Sequence, residues 1–253
     1  MIGVYDSGVG GLTILDRIRG LSPNADLVYL ADQANVPYGE RSLATVRSLA
    51  LTAGGTLVEH GATTVVVACN TASAAALDDL RAAFPTVRMV GMEPAVKPAA
   101  TSTRTGVVGV LATDATFAAA GFEELVGRFA EGVEVIAHPC PGWAAAIEES
   151  WPAGSSAEIA RHLAPLLERG VDSIVLACTH YGFVAGTIAD VIGDRVLIVD
   201  PADAVARQAV RVSDHDGSGM TTYLTTGSPQ RLAAQMLRLL DRVVRVDQVG
   251  SSR

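Results

Sequence analysis

The chain has 253 residues, 49% of them hydrophobic and 5% aromatic, and a formal charge of -8. That length accommodates one large core or two smaller ones, and the apolar content excludes a disordered chain. The acidic balance leaves no basic stripe for DNA or RNA, no apolar run approaches the roughly 20 residues that cross a bilayer, and no leader opens the chain, so a soluble cytoplasmic protein with no membrane and no direct nucleic-acid partner is expected.

In chain order, "IGVYDSGVGGLTILDRI" reads as strand, glycine turn and helix, and "DLVYLAD" as a second strand. "PYGERSLATVRSLALTAGGTLVEHG" carries a helical period and "TTVVVACN" is a strand. "TASAAALDDLRAAF" follows as a helix capped by its threonine, and "TVRMVGM" is a strand before Pro94 and Pro98. The second half begins again, with "TGVVGVLATDAT" and "SIVLACTHYGF" as strands that end in small polar residues. Beyond Ala204 the pattern is mostly helical, with "TTYLTTGS" as a strand candidate. This alternation predicts an α/β fold with parallel sheets. Asp6 and Cys69 lie 63 positions apart and Thr113 and Cys178 lie 65 apart, which reads as a duplication into two similar lobes facing one another.

Parallel strands deliver their last side chains to the carboxyl edge of the sheet, where α/β proteins bind ligands. The repeats "ACNT" and "ACTH" set Cys69 and Cys178 at equivalent edges. A lone cysteine there is well explained as a small buried hydrophobe, but two fillers have no reason to share a setting of hydroxyl and amide neighbours. A thiol on each side of a cleft suits inversion of a carbon stereocentre, which needs a base on one face and an acid on the other. Cys140, in "HPCPGW", lacks that setting and reads as filler. The wide spacing of three cysteines argues against disulfides and a structural zinc site, and a zinc cluster on Cys178 and His180 lacks the usual ligand spacing, so no metal is expected. Lys97 is the single lysine and lies between two prolines, which argues against pyridoxal phosphate.

"DSGVGG" at 6–11 joins strand to helix with backbone N–H groups suited to a carboxylate or phosphate, although Asp6 serves equally as a turn former. It is neither a dinucleotide fingerprint nor a Walker loop. His180 lies close enough to Cys178 in sequence to polarise the thiol, or it is a satisfied structural histidine. Glu148, in "GWAAAIEES", reads by itself as a solvated helix-face residue, and "VPYGERS" as an ordinary turn.

At these residues the sequence resembles the glutamate racemases of the aspartate/glutamate racemase superfamily. The motifs are "IGVYDSGVGGLT", "YLADQANVPYGERS", "VVVACNTASAAAL", "VGMEPAVKPAA", "GVLATDAT", "CPGWAAAIEE", "VLACTHYGF" and "YLTTGSPQRL", in family order over nearly the whole chain. The resemblance implies two pseudo-symmetric flavodoxin-like lobes, residues 1–95 plus 205–253 and residues 96–204, with the active site between them. It implies cofactor-independent interconversion of L- and D-glutamate, supplying D-glutamate for peptidoglycan and so for cell shape. Cys69 would work on the D-enantiomer and Cys178 on the L-enantiomer; Asp6 would assist the first, His180 and Glu148 the second. Substrate binding would involve Asp6, Ser7, Tyr38, Gly39, Asn70, Thr71, Thr113, Thr116, Thr179 and His180, with Asp32 a further acid near the site. A homodimer is implied, and restraint of DNA gyrase follows only by family analogy. Asp32 to Asn35 ("DQAN") departs from the family's usual Asp-Thr-Ala-Arg, and Gly182 stands where proline is usual. The alternatives are another superfamily racemase, for aspartate or hydantoin, a decarboxylase, which needs only one such cysteine, and a non-catalytic binding or regulatory protein.

Overall fold

The computed structural model describes residues 1–150, 156–214 and 216–250. In chain order the elements are β1 (Ile2–Asp6), α1 (Leu12–Leu21), β2 (Leu27–Ala31), α2 (Leu43–Glu59), β3 (Thr64–Val67), α3 (Asn70–Ala83), β4 (Arg88–Gly91) and α4 (Val96–Ser102). Then follow β5 (Val107–Ala112), α5 (Asp114–Ala118), α6 (Ala120–Phe129), β6 (Glu134–Pro139), α7 (Trp143–Ser150), α8 (Ser156–Glu168), β7 (Ser173–Leu176), α9 (Ala185–Ile192) and β8 (Leu197–Val199). The chain ends with α10 (Ala202–Val212), β9 (Thr221–Thr225), α11 (Pro229–Leu240) and β10 (Val246–Gln248). Short 3-10 segments cover Tyr38–Glu40 and Thr179–Val184.

Two sheets form, both wholly parallel: β10-β9-β2-β1-β3-β4 and β6-β5-β7-β8. Each sheet contains the same order of second, first, third and fourth strand of its half, so β1 corresponds to β5 and β3 to β7. Asp6 ends β1 and Thr113 follows β5; Cys69 follows β3 and Cys178 follows β7. The spacing repeat in the sequence thus has a topological counterpart. β9 and β10 extend the first sheet on its β2 side, so the chain beyond α10 returns there.

Strand alternation sends Ile2, Val4 and Tyr29 into a core with α1, α10 and α11, and Tyr5, Val65 and Val67 into a core with α2 and α3. The second sheet repeats this, with Leu111, Ile174 and Leu176 against α7, α8 and α9, and Val108, Val110 and Val175 against α4. Strands buried on both faces explain the near-continuous apolar runs. Strands β6, β8 and β10 carry no such run: their residues are largely half-buried or exposed, which hid them from a hydrophobicity reading. Among the described residues no helix is long and apolar enough to cross a membrane.

Candidate active site

The carboxyl ends of β1, β3, β5 and β7 converge on one cavity of about 20 Å³. Ser7, Tyr38, Cys69, Asn70, Thr113 and Cys178 are among its walls, with Gly39, Thr71, Thr179 and His180 completing the polar lining. Cys69 is the N-cap of α3, 6% exposed, and Cys178 is 9% exposed. Burial pushes the Cys69 thiol up to about 12; the Asp6 carboxylate adds to this, and the Ala72 N–H and Ser7 hydroxyl partly offset it. In this closed cavity Cys69 is therefore a thiol at neutral pH.

Around Cys178 the groups form a chain. Its Sγ lies 3.8 Å from His180 Nδ1, and His180 Nε2 lies 2.8 Å from Glu148 Oε1. Glu148 Oε1 also accepts the Val9 N–H at 2.7 Å, and Oε2 accepts Gln235 Nε2 at 2.7 Å. Burial opposes charge on both residues. It is outweighed at Glu148 by the bonds from His180, Val9 and Gln235, which hold the carboxyl below its ordinary range, and at His180 by hydrogen bonds to Cys178 and Glu148 and their charges, which hold the imidazole well above its own. The pair is a buried imidazolium–carboxylate. Asp6, fully buried, accepts the Gly8 N–H at 3.0 Å and the Thr179 hydroxyl at 3.1 Å. Burial nevertheless raises its pKa, against the His180 charge and those bonds.

Two further groups close the cavity. Thr71, Thr113 and Thr116 place their hydroxyls 3.1 to 3.4 Å apart. Tyr38 donates to Asp32 at 2.5 Å while accepting from Tyr5 at 2.8 Å, and Asp32 also takes Thr226 and Asn35. The Asn70 amide differs from all these, since both its nitrogen and its oxygen are buried without a partner among the described residues. An unmet buried polar group costs about 1 to 3 kcal/mol, and on a cavity wall it is available to a polar ligand.

A family model described as Asp/Glu/Hydantoin racemase matches residues 13–209. A glutamate racemase from Roseiflexus sp. (strain RS-1) is 47% identical over 248 residues, 94% of this chain and 91% of its own length. The chain belongs to the Asp/Glu/hydantoin racemase family. Among solved racemases, an Escherichia coli glutamate racemase in complex with L-glutamate and the activator UDP-MurNAc-Ala superposes with a TM-score of 0.89 at 29% identity, over 98% of this chain and 97% of that one. A glutamate racemase from Thermus thermophilus in complex with beta-chloro-D-alanine gives 0.80 at 36% identity, over 99% and 96%.

Set against this racemase architecture, three expectations change. Glu148 is not a solvated face residue: it is 2% exposed, because α7 turns it toward Val9 and α11. The cap of α3 is Cys69 rather than the threonine, since Cys69 holds the extended backbone while the Thr71 hydroxyl turns to Thr113. The N–H groups of Gly8 and Val9 are taken by Asp6 and Glu148, not left for an outside anion. A Cβ at Gly8 would overlap the Glu148 carboxylate and one at Gly10 would overlap Thr179, so both glycines let the two halves meet this closely. Gln33, Gln235 and Arg238 escaped the sequence reading. Gln33 donates to Gln235 at 2.5 Å, and Arg238 donates to the Ile147 and Glu148 carbonyls at 3.0 Å. Only "DQAN", as a departure from pattern, pointed toward them. At Gly182 a Cβ would meet Thr13 at an ordinary 3.4 Å, so nothing there blocks a side chain.

Proposed function

We propose that this chain is a cofactor-independent glutamate racemase in which one thiol takes the Cα proton and a second delivers its own to the opposite face. The observation that carries the reading is that Cys69 and Cys178 follow equivalent strands of two equally ordered sheets and line one cavity. In the L-to-D direction Cys178, 3.8 Å from His180, would take the Cα proton and Cys69, a buried thiol, would deliver its own to the opposite face. The sulfurs exchange protonation states, and the reverse reaction runs from the new state. Asn70, Ser7 and the threonine hydroxyls supply fixed dipoles for the substrate carboxylates and the carbanionic charge. Asp6 serves the Cys69 side, with Glu148 and His180 serving Cys178.

The division into residues 1–95 plus 205–253 and residues 96–204 belongs to the same reading, and so does a cytoplasmic homodimer feeding peptidoglycan synthesis. Support for the first comes from the core, where Val96 and Ala99 pack with β5 and β7 while Val205 and Ala206 pack with β1 and β2. The substrate is tested by a panel of L-glutamate, L-aspartate and a 5-substituted hydantoin followed by optical rotation. Glutamate should lose its rotation fastest; preference for either of the others would overturn the assignment. One methylene is worth about 1 to 3 kcal/mol, so aspartate should be slower by about tenfold or more.

A further inference from the structure

Beyond the racemase cavity, one cluster of ligating side chains among the described residues is unused. His138 near the end of β6, Cys140 in the turn after it and His162 on α8 bring two imidazole nitrogens and a sulfur within 4.8 Å of one another. His138 Nε2 and His162 Nδ1 are 3.2 Å apart, close to the roughly 3.3 Å between two nitrogens that each lie about 2.0–2.1 Å from a tetrahedral zinc ion. We propose that His138, Cys140 and His162 are a three-ligand site for a borderline divalent cation, zinc foremost, with a fourth position open to solvent.

Two observations beyond proximity support this. The far nitrogen of His162, Nε2, lies 3.6 Å from Glu158 Oε1, just beyond hydrogen-bond length, on the side where metal-bound histidines typically find carboxylate support. Cys140 also borders a cavity of about 50 Å³ whose walls include Glu40 and Asp114, an acidic approach for a cation. Binding changes only proton positions: the Cys140 thiol gives its proton to water, and whichever imidazole nitrogen carries the shared N–H hands it to the other nitrogen of its own ring. The pattern escaped a spacing search because its members are a strand residue, a turn residue and a helix residue 24 positions beyond the first. The site would brace the turn into α7, where the Cys140 carbonyl accepts the Tyr181 hydroxyl at 3.3 Å, one residue from His180.

Cobalt titration of the chelator-treated full chain, followed by displacement with zinc, tests it. One Co²⁺ per chain is expected, with tetrahedral visible bands and a sulfur-to-cobalt charge-transfer band. That band should vanish in Cys140→Ser and survive in the double variant Cys69→Ser/Cys178→Ser. Affinity should fall at least about tenfold in His138→Asn and His162→Asn, and about tenfold in Glu158→Gln. A band that survives Cys140→Ser, one that disappears with the cavity thiols, or a dissociation constant weaker than about 10 μM overturns the proposal. Should Cys140→Ser fail to fold, zinc-edge absorption of the unaltered chain decides: one sulfur and two imidazoles support the site, and no sulfur refutes it.

Discussion

Asp6 carries a conflict between stability and chemistry. Its pKa is raised in the folded chain, chiefly by burial, so the native state holds that proton more tightly than the unfolded chain does. Above the unfolded carboxyl pKa its ionised form therefore costs stability. Asp6→Asn should raise the unfolding midpoint at pH 7 and lower turnover, and an unchanged or lower midpoint would contradict burial as the chief influence on this carboxyl. The Glu148–His180 pair has the opposite sense. The lowered Glu148 pKa contributes stability above about 4.5 that fades as pH falls, and the raised His180 pKa contributes stability below about 6.5 that fades as pH rises through its folded value. The midpoint difference between the unaltered chain and Glu148→Gln should be greatest between about pH 4.5 and 6.5 and shrink on both sides; a flat difference would show that the pair is not charged. For the thiols, Cys69→Ser and Cys178→Ser should each lower racemisation by about 10² to 10⁴. Cys178→Ser should still exchange the Cα proton of D-glutamate, and loss of exchange from both enantiomers would contradict one thiol per face.

At the scale of elements, α11 matters because it reaches across to α7. Gln235 donates to both the carbonyl and the carboxylate of Glu148 and accepts from Gln33. Gln235→Ala leaves the Glu148 Oε2 and the Gln33 amide short of a partner, which should cost about 1 to 3 kcal/mol in denaturant unfolding and slow solvent exchange of the Cα proton of L-glutamate more than that of D-glutamate. Equal slowing of exchange from both enantiomers would mean that α11 does not act through the Cys178 side. The strand ends were legible in the sequence because "ACNT" and "ACTH" combine doubly buried apolar runs with small polar termini. Glu148 was not, since "AAAIEES" gives no sign of which face the helix buries, and its partners lie 139 and 87 positions away. Strands such as β8, only half-buried, escaped for want of an apolar run.

On the scale of the whole molecule, the two sheets meet at a cavity of about 20 Å³, and we infer that the halves part to admit an amino acid. Small-angle scattering should then give different radii of gyration for the free chain and for the chain saturated with glutamate. Identical radii in a fully active preparation would contradict opening. Topology was readable from the βαβ alternation and the matched 63 and 65 spacings. The contact of the halves through Gly8, Thr71 and α11 was not, because it depends on pairs distant in sequence. The central claim is proton transfer at Cα by two thiols without a cofactor. Its most direct test is incubation of the dialysed protein with L-glutamate in deuterated water, following optical rotation and deuterium at Cα together. The account predicts D-glutamate carrying solvent deuterium at Cα; D-glutamate that keeps its original proton, or no exchange at all, would contradict it.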